Sequence, residues 1–328
     1  MTEEIVVSDI GGTHARFAIA TIDDGRILSL DDQLTLKSGE HPSLQTAWQA
    51  YGREIGRELP RSGAIAVAGH VGGEVLHLTN NSWMIRPAMI PEKLGLDRFT
   101  LINDFGAVGH AVALLGDDQF QHICGPDHRI PDTGLVTILG PGTGLGVAHV
   151  LKMETGYHVT ETEAGHVDFA PHDLIEDRLL QKLREHHRRV SVERIVAGPG
   201  LQVIYKVFAE MEGQQAKQLD DKALWQLALS GEDSVAAAAF DRFCLCLGSF
   251  AGDITLAHGA RSVVMAGGLG SRIAHRLPSS GFRERFRAKG RFESLMETIP
   301  VKQLMHEQPG LYGAAGAFIK EHGSLVCA

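Results

Sequence analysis

Two segments of the chain carry residues spaced to hold an anion. Asp9-Ile10-Gly11-Gly12-Thr13 lies between the apolar runs Ile5–Ser8 and Arg16–Ala20, and Gly140-Pro141-Gly142-Thr143-Gly144-Leu145-Gly146 lies between Leu135–Leu139 and Val147–Lys152. Each reads as strand, tight turn, strand. A turn of small residues exposes backbone N–H groups that can converge on an anion such as phosphate. Thr13 and Thr143 add hydroxyl donors. Either turn alone could be an ordinary hairpin; two of the same build favour the anion cradle. Neither G-x-x-x-x-G-K-[ST] nor G-x-G-x-x-G occurs, which argues against a P-loop and against a dinucleotide site. Asp9 stands at the mouth of the first turn. A carboxylate beside phosphates is repulsive unless a cation lies between them, and Mg²⁺, which takes few protein oxygens and several waters, suits that place. The plainer reading of Asp9 is a turn aspartate accepting local N–H bonds.

A third feature is Asp104. Phe99–Asn103 reads as a strand ending at Asp104, and Phe105–Leu115 as an apolar helix. Asp104 is then either a helix N-cap or a ligand-facing acid at the carboxyl end of a strand, where α/β proteins bind their ligands. The two readings are compatible.

These residues are positioned by alternating strands and helices, which predicts an α/β fold. Pro42–Leu59 carries Leu44, Ala47, Trp48, Tyr51, Ile55 and Leu59 at helical spacing. Ala64–Ala68 and Val75–Leu78 read as strands. Past residue 116, Leu174–Arg189, Leu201–Met211, Ser234–His258 and Gly310–Lys320 read as helices, and Ser262–Ala266 and Pro300–Gln303 as strands. Aligning Thr13 with Thr143 also pairs Gly12 with Gly142 and Ala18 with Ala148. This faint repeat suggests two related halves facing each other across a cleft.

The chain has 328 residues, 38 of them glycine, or about 12% against a usual ~7%. Its formal charge of -9 disfavours nonspecific binding to nucleic acid or anionic membrane. Thr133–Leu151, free of Asp, Glu, Lys and Arg, holds too many glycines for a spanning helix. The opening Met-Thr-Glu-Glu lacks the basic start of a secretory leader. Cys124, Cys244, Cys246 and Cys327 form neither a C-x-x-C pair nor a disulfide framework. The expected compartment is the cytoplasm. Cys244 and Cys246 are expected in the core, and the basic runs Arg184–Arg189 and Arg283–Arg291 on solvated faces.

Together with Leu101-Ile102-Asn103-Asp104-Phe105, Glu163-Ala164-Gly165-His166-Val167-Asp168-Phe169 and Ala266-Gly267-Gly268, in this order, the two turns make a set. In that set the chain resembles bacterial ATP-dependent glucokinases of the hexokinase/actin-like ATPase superfamily, from residue 5 to about 318. The resemblance implies an actin-like, ribonuclease H-like fold of two α/β domains around an interdomain cleft. The small domain would be 1–115 plus 305–328, and the large domain 116–304. It implies transfer of the γ-phosphoryl group of Mg-ATP to the 6-hydroxyl of glucose at the entry of glycolysis, by a homodimer.

By the same resemblance, Asp104 is the catalytic base, and Asn103, Asp104, Glu163, His166 and Glu193 bind the sugar. Ser8, Asp9, Ile10, Gly11, Gly12, Thr13, Gly142, Thr143, Gly144, Gly267 and Gly268 form the ATP site, with Asp9 on Mg²⁺ through water. No cysteine follows Gly165-His166 before Cys244, so the zinc motif of the related repressor and kinase group is missing and no zinc is expected. Ala164 stands where the family often has glycine. Carboxylates that accept, with an amide and an imidazole that can donate, suit a polyol, and a mismatched hydroxyl would leave one of them unpaired. The competing readings are a kinase for another hexose or amino sugar, a sugar- or nucleotide-binding regulator without turnover, and a nuclease using Asp9, Asp104 and Glu163 on metal ions. The acidic charge disfavours the nuclease.

Overall fold

The structure is a computed structural model and describes residues 2–78 and 81–323; Cys327 lies outside them. The strands are β1 (Glu3–Ile10), β2 (His14–Asp23), β3 (Arg26–Lys37), β4 (Ser62–Val67), β5 (Leu76–His77), β6 (Met84–Ile85), β7 (Arg98–Asn103), β8 (Phe120–Cys124), β9 (Gly134–Pro141), β10 (Leu145–Met153), β11 (Gly156–Thr162), β12 (Ser262–Met265) and β13 (Val301–Leu304). The helices are α1 (Leu44–Ile55), α2 (Ile90–Leu94), α3 (Asp104–Leu114), α4 (Leu174–Arg184), α5 (Gly200–Met211), α6 (Asp221–Ser230), α7 (Ser234–His258), α8 (Gly267–Ile273), α9 (Phe282–Arg287), α10 (Glu293–Met296) and α11 (Pro309–His322). The chain divides into two compact units. The first runs to Leu115, takes in Val159–Glu161 and resumes at His306; the second holds Gly116–His158 and Thr162–Met305.

The first unit is built on the sheet β3-β2-β1-β4-β7. Its β1–β2 pair is antiparallel, while β1–β4 and β4–β7 are parallel. Side chains alternate between the two faces of a strand, and the sequence obeys this. Val6, Ile10, Phe17, Ile19, Ile65 and Val67 share one core with Trp48 and Tyr51 of α1. Ile5, Val7, Ala18, Ala20, Ala64 and Ala66 share the other with Leu311, Ala314, Ala315 and Phe318 of α11. The second face is lined by alanine, so a helix can approach closely. At the α3–α11 contact a Cβ on Gly313 would lie 1.7 Å from the Ala107 carbonyl oxygen.

The other large sheet, β11-β10-β9-β12-β13-β8, belongs to the second unit except for Val159–Glu161 of β11. Its β9–β10 pair is antiparallel, and β9–β12 and β12–β13 are parallel. The order β3-β2-β1-β4-β7 is thus repeated as β11-β10-β9-β12-β13. The Gly11–Thr13 and Gly142–Gly144 loops join equivalent strands, so the faint sequence repeat corresponds to a repeated topology. Helix α7 packs on this sheet through Phe243, Leu247, Phe250 and Ala251 in one core with Val147, Val263 and Met265. By length and composition α7, expected from the sequence as a helix with these same bounds, is apolar enough to cross a membrane. It carries Asp241, Arg242 and Asp253 and is mostly buried, as the core helix of a folded unit is.

Several expectations shift. The helix expected over Leu174–Arg189 ends at Arg184, and the strand expected over Val75–Leu78 shrinks to Leu76–His77. Cys244 and Cys246 are buried, and burial pushes the Cys244 thiol up to about 12. Arg285, in a run expected to be solvated, is 13% exposed and pairs with Asp173 and Glu176.

Candidate active site

The predicted residues fall into two groups, one in each unit. In the first unit, β1, β4 and β7 run the same way, so Ile10, Val67 and Asn103 mark one carboxyl edge. Gly11 N–H donates to the His14 carbonyl at 2.9 Å, closing the hairpin and leaving Gly12 and Thr13 at its tip. Ser38 braces this tip, its N–H donating to the Thr13 carbonyl and its hydroxyl to the Gly11 carbonyl, both at 3.0 Å. Thr13 is exposed. The side chains of Ser8 and Ile10 are fully buried in the sheet, so neither presents a side chain to a ligand; their part is to fix the turn.

Asp9 accepts from Arg16 at 3.1 Å, its cross-strand partner in register. Its carboxylate also lies against the start of α11, where a Cβ on Gly310 would sit 2.8 Å from Oδ2. Desolvation raises the Asp9 pKa, and Arg16 opposes the rise.

The cap of α3 is Asn103, not Asp104. Asn103 keeps the extended backbone, and its Oδ1 accepts from Phe105 N–H at 2.8 Å and Gly106 N–H at 3.2 Å. Its Nδ2 donates to the Gly69 carbonyl at 2.9 Å. An amide nitrogen carries two hydrogens, so one donor remains for a ligand. Asp104 is the first helical residue, and its Oδ1 accepts from Phe105 N–H at 2.9 Å. Burial, with the charges of Asp9 and Glu161 added, raises its carboxyl to about 7 against the pull of that hydrogen bond. Glu161 also accepts from Asn103 N–H at 3.2 Å, and a Cβ on Gly106 would overlap its carboxylate at 2.0 Å.

In the second unit, Gly142 N–H donates to the Gly144 carbonyl at 2.8 Å, and the Gly142 carbonyl accepts from Gly198 N–H at 2.7 Å. Thr143 is exposed at the tip. Nothing lies within 4 Å of where a Cβ on Gly142 or Gly268 would be. Gly267 has φ +79°, a left-handed conformation that favours glycine, and a Cβ there would lie 3.4 Å from the Pro141 carbonyl oxygen. The Gly267–Gly268 corner therefore adjoins the Gly142 loop.

Glu163 precedes a short 3-10 turn, Ala164–His166. Gly165 lets this turn touch β10, since a Cβ there would be 2.3 Å from the Leu145 carbonyl oxygen. Ala164 packs partly buried against the core, so its methyl is accommodated. His166 Nε2 lies 3.9 Å from Glu163 Oε2 and 3.9 Å from Glu193 Oε1. Those separations are too long for hydrogen bonds and leave all three groups able to meet an outside hydroxyl. Arg16, Glu161 and Ser38 were not singled out from the sequence. The readable signal was glycine at helical positions 106 and 310, which costs about 1 kcal/mol against alanine and marks close approach.

The donors suit Mg²⁺ bound mainly through phosphate and water: Asp9 and Asp104 are electrostatically coupled acids beside one turn, and such an ion needs only one or two carboxylates. Among the described residues no group of three His, Cys, Asp or Glu is placed to hold a metal by protein ligands alone.

Known proteins resemble this chain over nearly its whole length. The family model described as Glucokinase matches residues 6–321. The chain is 58% identical over 322 residues to a glucokinase of Zymomonas mobilis, covering 98% of this chain and 99% of that one. A crystal structure of a glucokinase from an Antarctic psychrotroph superposes with a TM-score of 0.83 at 33% identity, over 97% of this chain and 99% of that one. A ROK family glucokinase from Streptomyces griseus, crystallised with glucose and AMPPNP, shares the fold, with a TM-score of 0.63 at 20% identity over 95% and 98% of the two chains. The fold is that of the actin-like ATPases, and the chain belongs to the glucokinase family.

Proposed function

We propose that this chain transfers the γ-phosphoryl group of ATP to the 6-hydroxyl of glucose, giving glucose 6-phosphate and ADP. Family membership supports this, as do the relatives named as glucokinases and the fold relative crystallised with glucose and AMPPNP. The observation that carries it is Asp104: a carboxyl held near pH 7 at the carboxyl edge of parallel strands, in the unit that also presents the Gly11–Thr13 turn.

On this reading Asn103, Asp104, Glu163, His166 and Glu193 are the residues that hold sugar hydroxyls. Asp104 accepts the hydrogen bond of the 6-hydroxyl and aims its oxygen at the γ-phosphorus. As the bond from that oxygen to phosphorus forms, the bond to the β–γ bridging oxygen breaks, ADP leaves, and the hydroxyl proton passes to Asp104. A base with a pKa near the working pH suits that transfer. Thr13 and Thr143 hydroxyls and the N–H groups of the two turns hold the phosphates, since phosphoryl transfer is largely positioning and charge neutralisation. Mg²⁺, held by Asp9 through water, would neutralise charge on the phosphate oxygens. We read the chain further as a cytoplasmic homodimer acting at the entry of glycolysis.

A coupled ADP-release assay with Mg-ATP against glucose, mannose, fructose, N-acetylglucosamine and water alone tests the function. Glucose should give the highest kcat/KM and water almost no release. Equal release with and without sugar, or a clear preference for another sugar in the panel, would overturn the reading.

A further inference from the structure

Glu193 divides its two carboxylate oxygens between different tasks. Oε2 accepts from Leu145 N–H at 2.9 Å, where the Gly142–Gly144 loop re-enters β10. Leu145 is in register with Pro141, the pair next to the bonded Gly142–Gly144 pair, so its N–H points away from β9 and is available to Glu193. The side chain also lies along the loop itself: a Cβ on Gly144 would stand 2.6 Å from Oε2. Gly144 is not among the residues with positive φ. Its backbone therefore does not require glycine, and a methyl there would displace the Glu193 carboxylate from its place beside the loop.

The other oxygen, Oε1, faces His166 Nε2 at 3.9 Å without bonding it. The 3-10 turn carrying Glu193, Val192–Arg194, is tied to the His166 segment. Val192 N–H donates to the Val167 carbonyl at 2.9 Å, and Asp168 and Ser191 form a β-bridge. Further along, Gly198 N–H holds the Gly142 carbonyl at 2.7 Å. Residues 191–198 thus join the sugar-side segment to both ends of the loop.

We propose that Glu193 is a positioning residue for the nucleotide loop as well as a sugar ligand, so that occupancy of the sugar site and grip on ATP are linked through one side chain. The proposal rests on the functional reading above. A hydroxyl donating to Oε1 fixes the carboxylate plane, which fixes Oε2 under Leu145 N–H and with it the loop. Linkage of this kind is reciprocal, so nucleotide should favour sugar by the same factor.

The test is direct binding of Mg-ADP without sugar, and of glucose, by titration calorimetry on wild type, Glu193→Ala, Glu193→Gln and Gly144→Ala. Glutamine can still accept Leu145 N–H through its carbonyl oxygen. Glu193→Gln should therefore keep nucleotide affinity within about twofold while weakening glucose roughly tenfold or more. Glu193→Ala should weaken Mg-ADP roughly tenfold with no sugar present, and Gly144→Ala should weaken both ligands. If Glu193→Ala does not fold, Gly144→Ala against Glu193→Gln makes the same comparison. Wild-type Mg-ADP affinity in both Glu193→Ala and Gly144→Ala would confine Glu193 to the sugar and overturn the proposal. Wild-type protein that binds no Mg-ADP would overturn the nucleotide reading of the loop itself, a separate result.

Discussion

Asp104 stands two strands across from Asp9 on the same sheet edge: Asp9 is in register with Ala66, and Ala66 with Ile102, two residues before Asp104. The charge on Asp9 reaches Asp104 and adds to the effect of burial, holding the carboxyl near pH 7. As general base, Asp104 works deprotonated. The value of kcat/KM should therefore fall as pH drops through about 7, with the slope of one proton. Asp9→Asn removes one raising charge and should move this acid limb to lower pH. An unmoved limb would separate the two residues.

The same shift sets a stability difference. A carboxyl raised in the folded state favours the protonated fold. Its contribution is present below the unfolded pKa near 4 and is lost as pH rises through about 7. Above that, ionising Asp104 costs the fold about 4 kcal/mol. Asp104→Asn should thus raise Tm at pH 8 and change it little at pH 4.5. Thermal melts at the two pH values decide this, and an equal effect at both would contradict it.

Gly310 leaves room for Asp9. Gly310→Ala would push a methyl to 2.8 Å from Oδ2 and turn the carboxylate away from the phosphates. KM for Mg-ATP should rise roughly tenfold, the equivalent of about 1.4 kcal/mol, with KM for glucose nearly unchanged. Steady-state kinetics with each substrate varied in turn makes the measurement.

The buried cluster of the second unit concerns stability, not chemistry. Glu176 is 1% exposed and meets Arg242 at 2.8 Å and Arg285 at 3.2 Å. Its Oε2 accepts from His172 N–H at 2.8 Å. Glu176→Ala leaves two guanidinium groups without that carboxylate in a nearly closed site. Removing one partner of a buried pair costs about 3–5 kcal/mol. The urea midpoint should drop accordingly, while KM values of the folded protein stay near wild type.

The turns were legible because glycine clusters between apolar runs leave few alternatives, and Ser234–His258 because its length and richness in alanine are local features. Less legible was β3 (Arg26–Lys37), whose side chains are exposed or only partly buried, so it lacks the apolar signal of an inner strand. The capping role of Asn103 was given to its neighbour, because the choice depends on which residue keeps extended backbone. Contacts such as Glu193 with Gly144, Gly310 with Asp9 and Arg285 with Glu176 join residues far apart in the chain. Local composition announces at most a glycine where something comes close, not the distant residue it meets. Gly144 could be read only as a turn glycine until the carboxylate beside it was seen.

The most direct test of the central claim is turnover of Asp104→Asn with Mg-ATP and glucose, measured beside the binding of each ligand. Asparagine keeps the size of the side chain and loses the base. With both ligands bound at affinities close to wild type, kcat should fall roughly 10²–10⁴-fold. Near-wild-type kcat in that variant would show that no base is needed at position 104 and would contradict the mechanism.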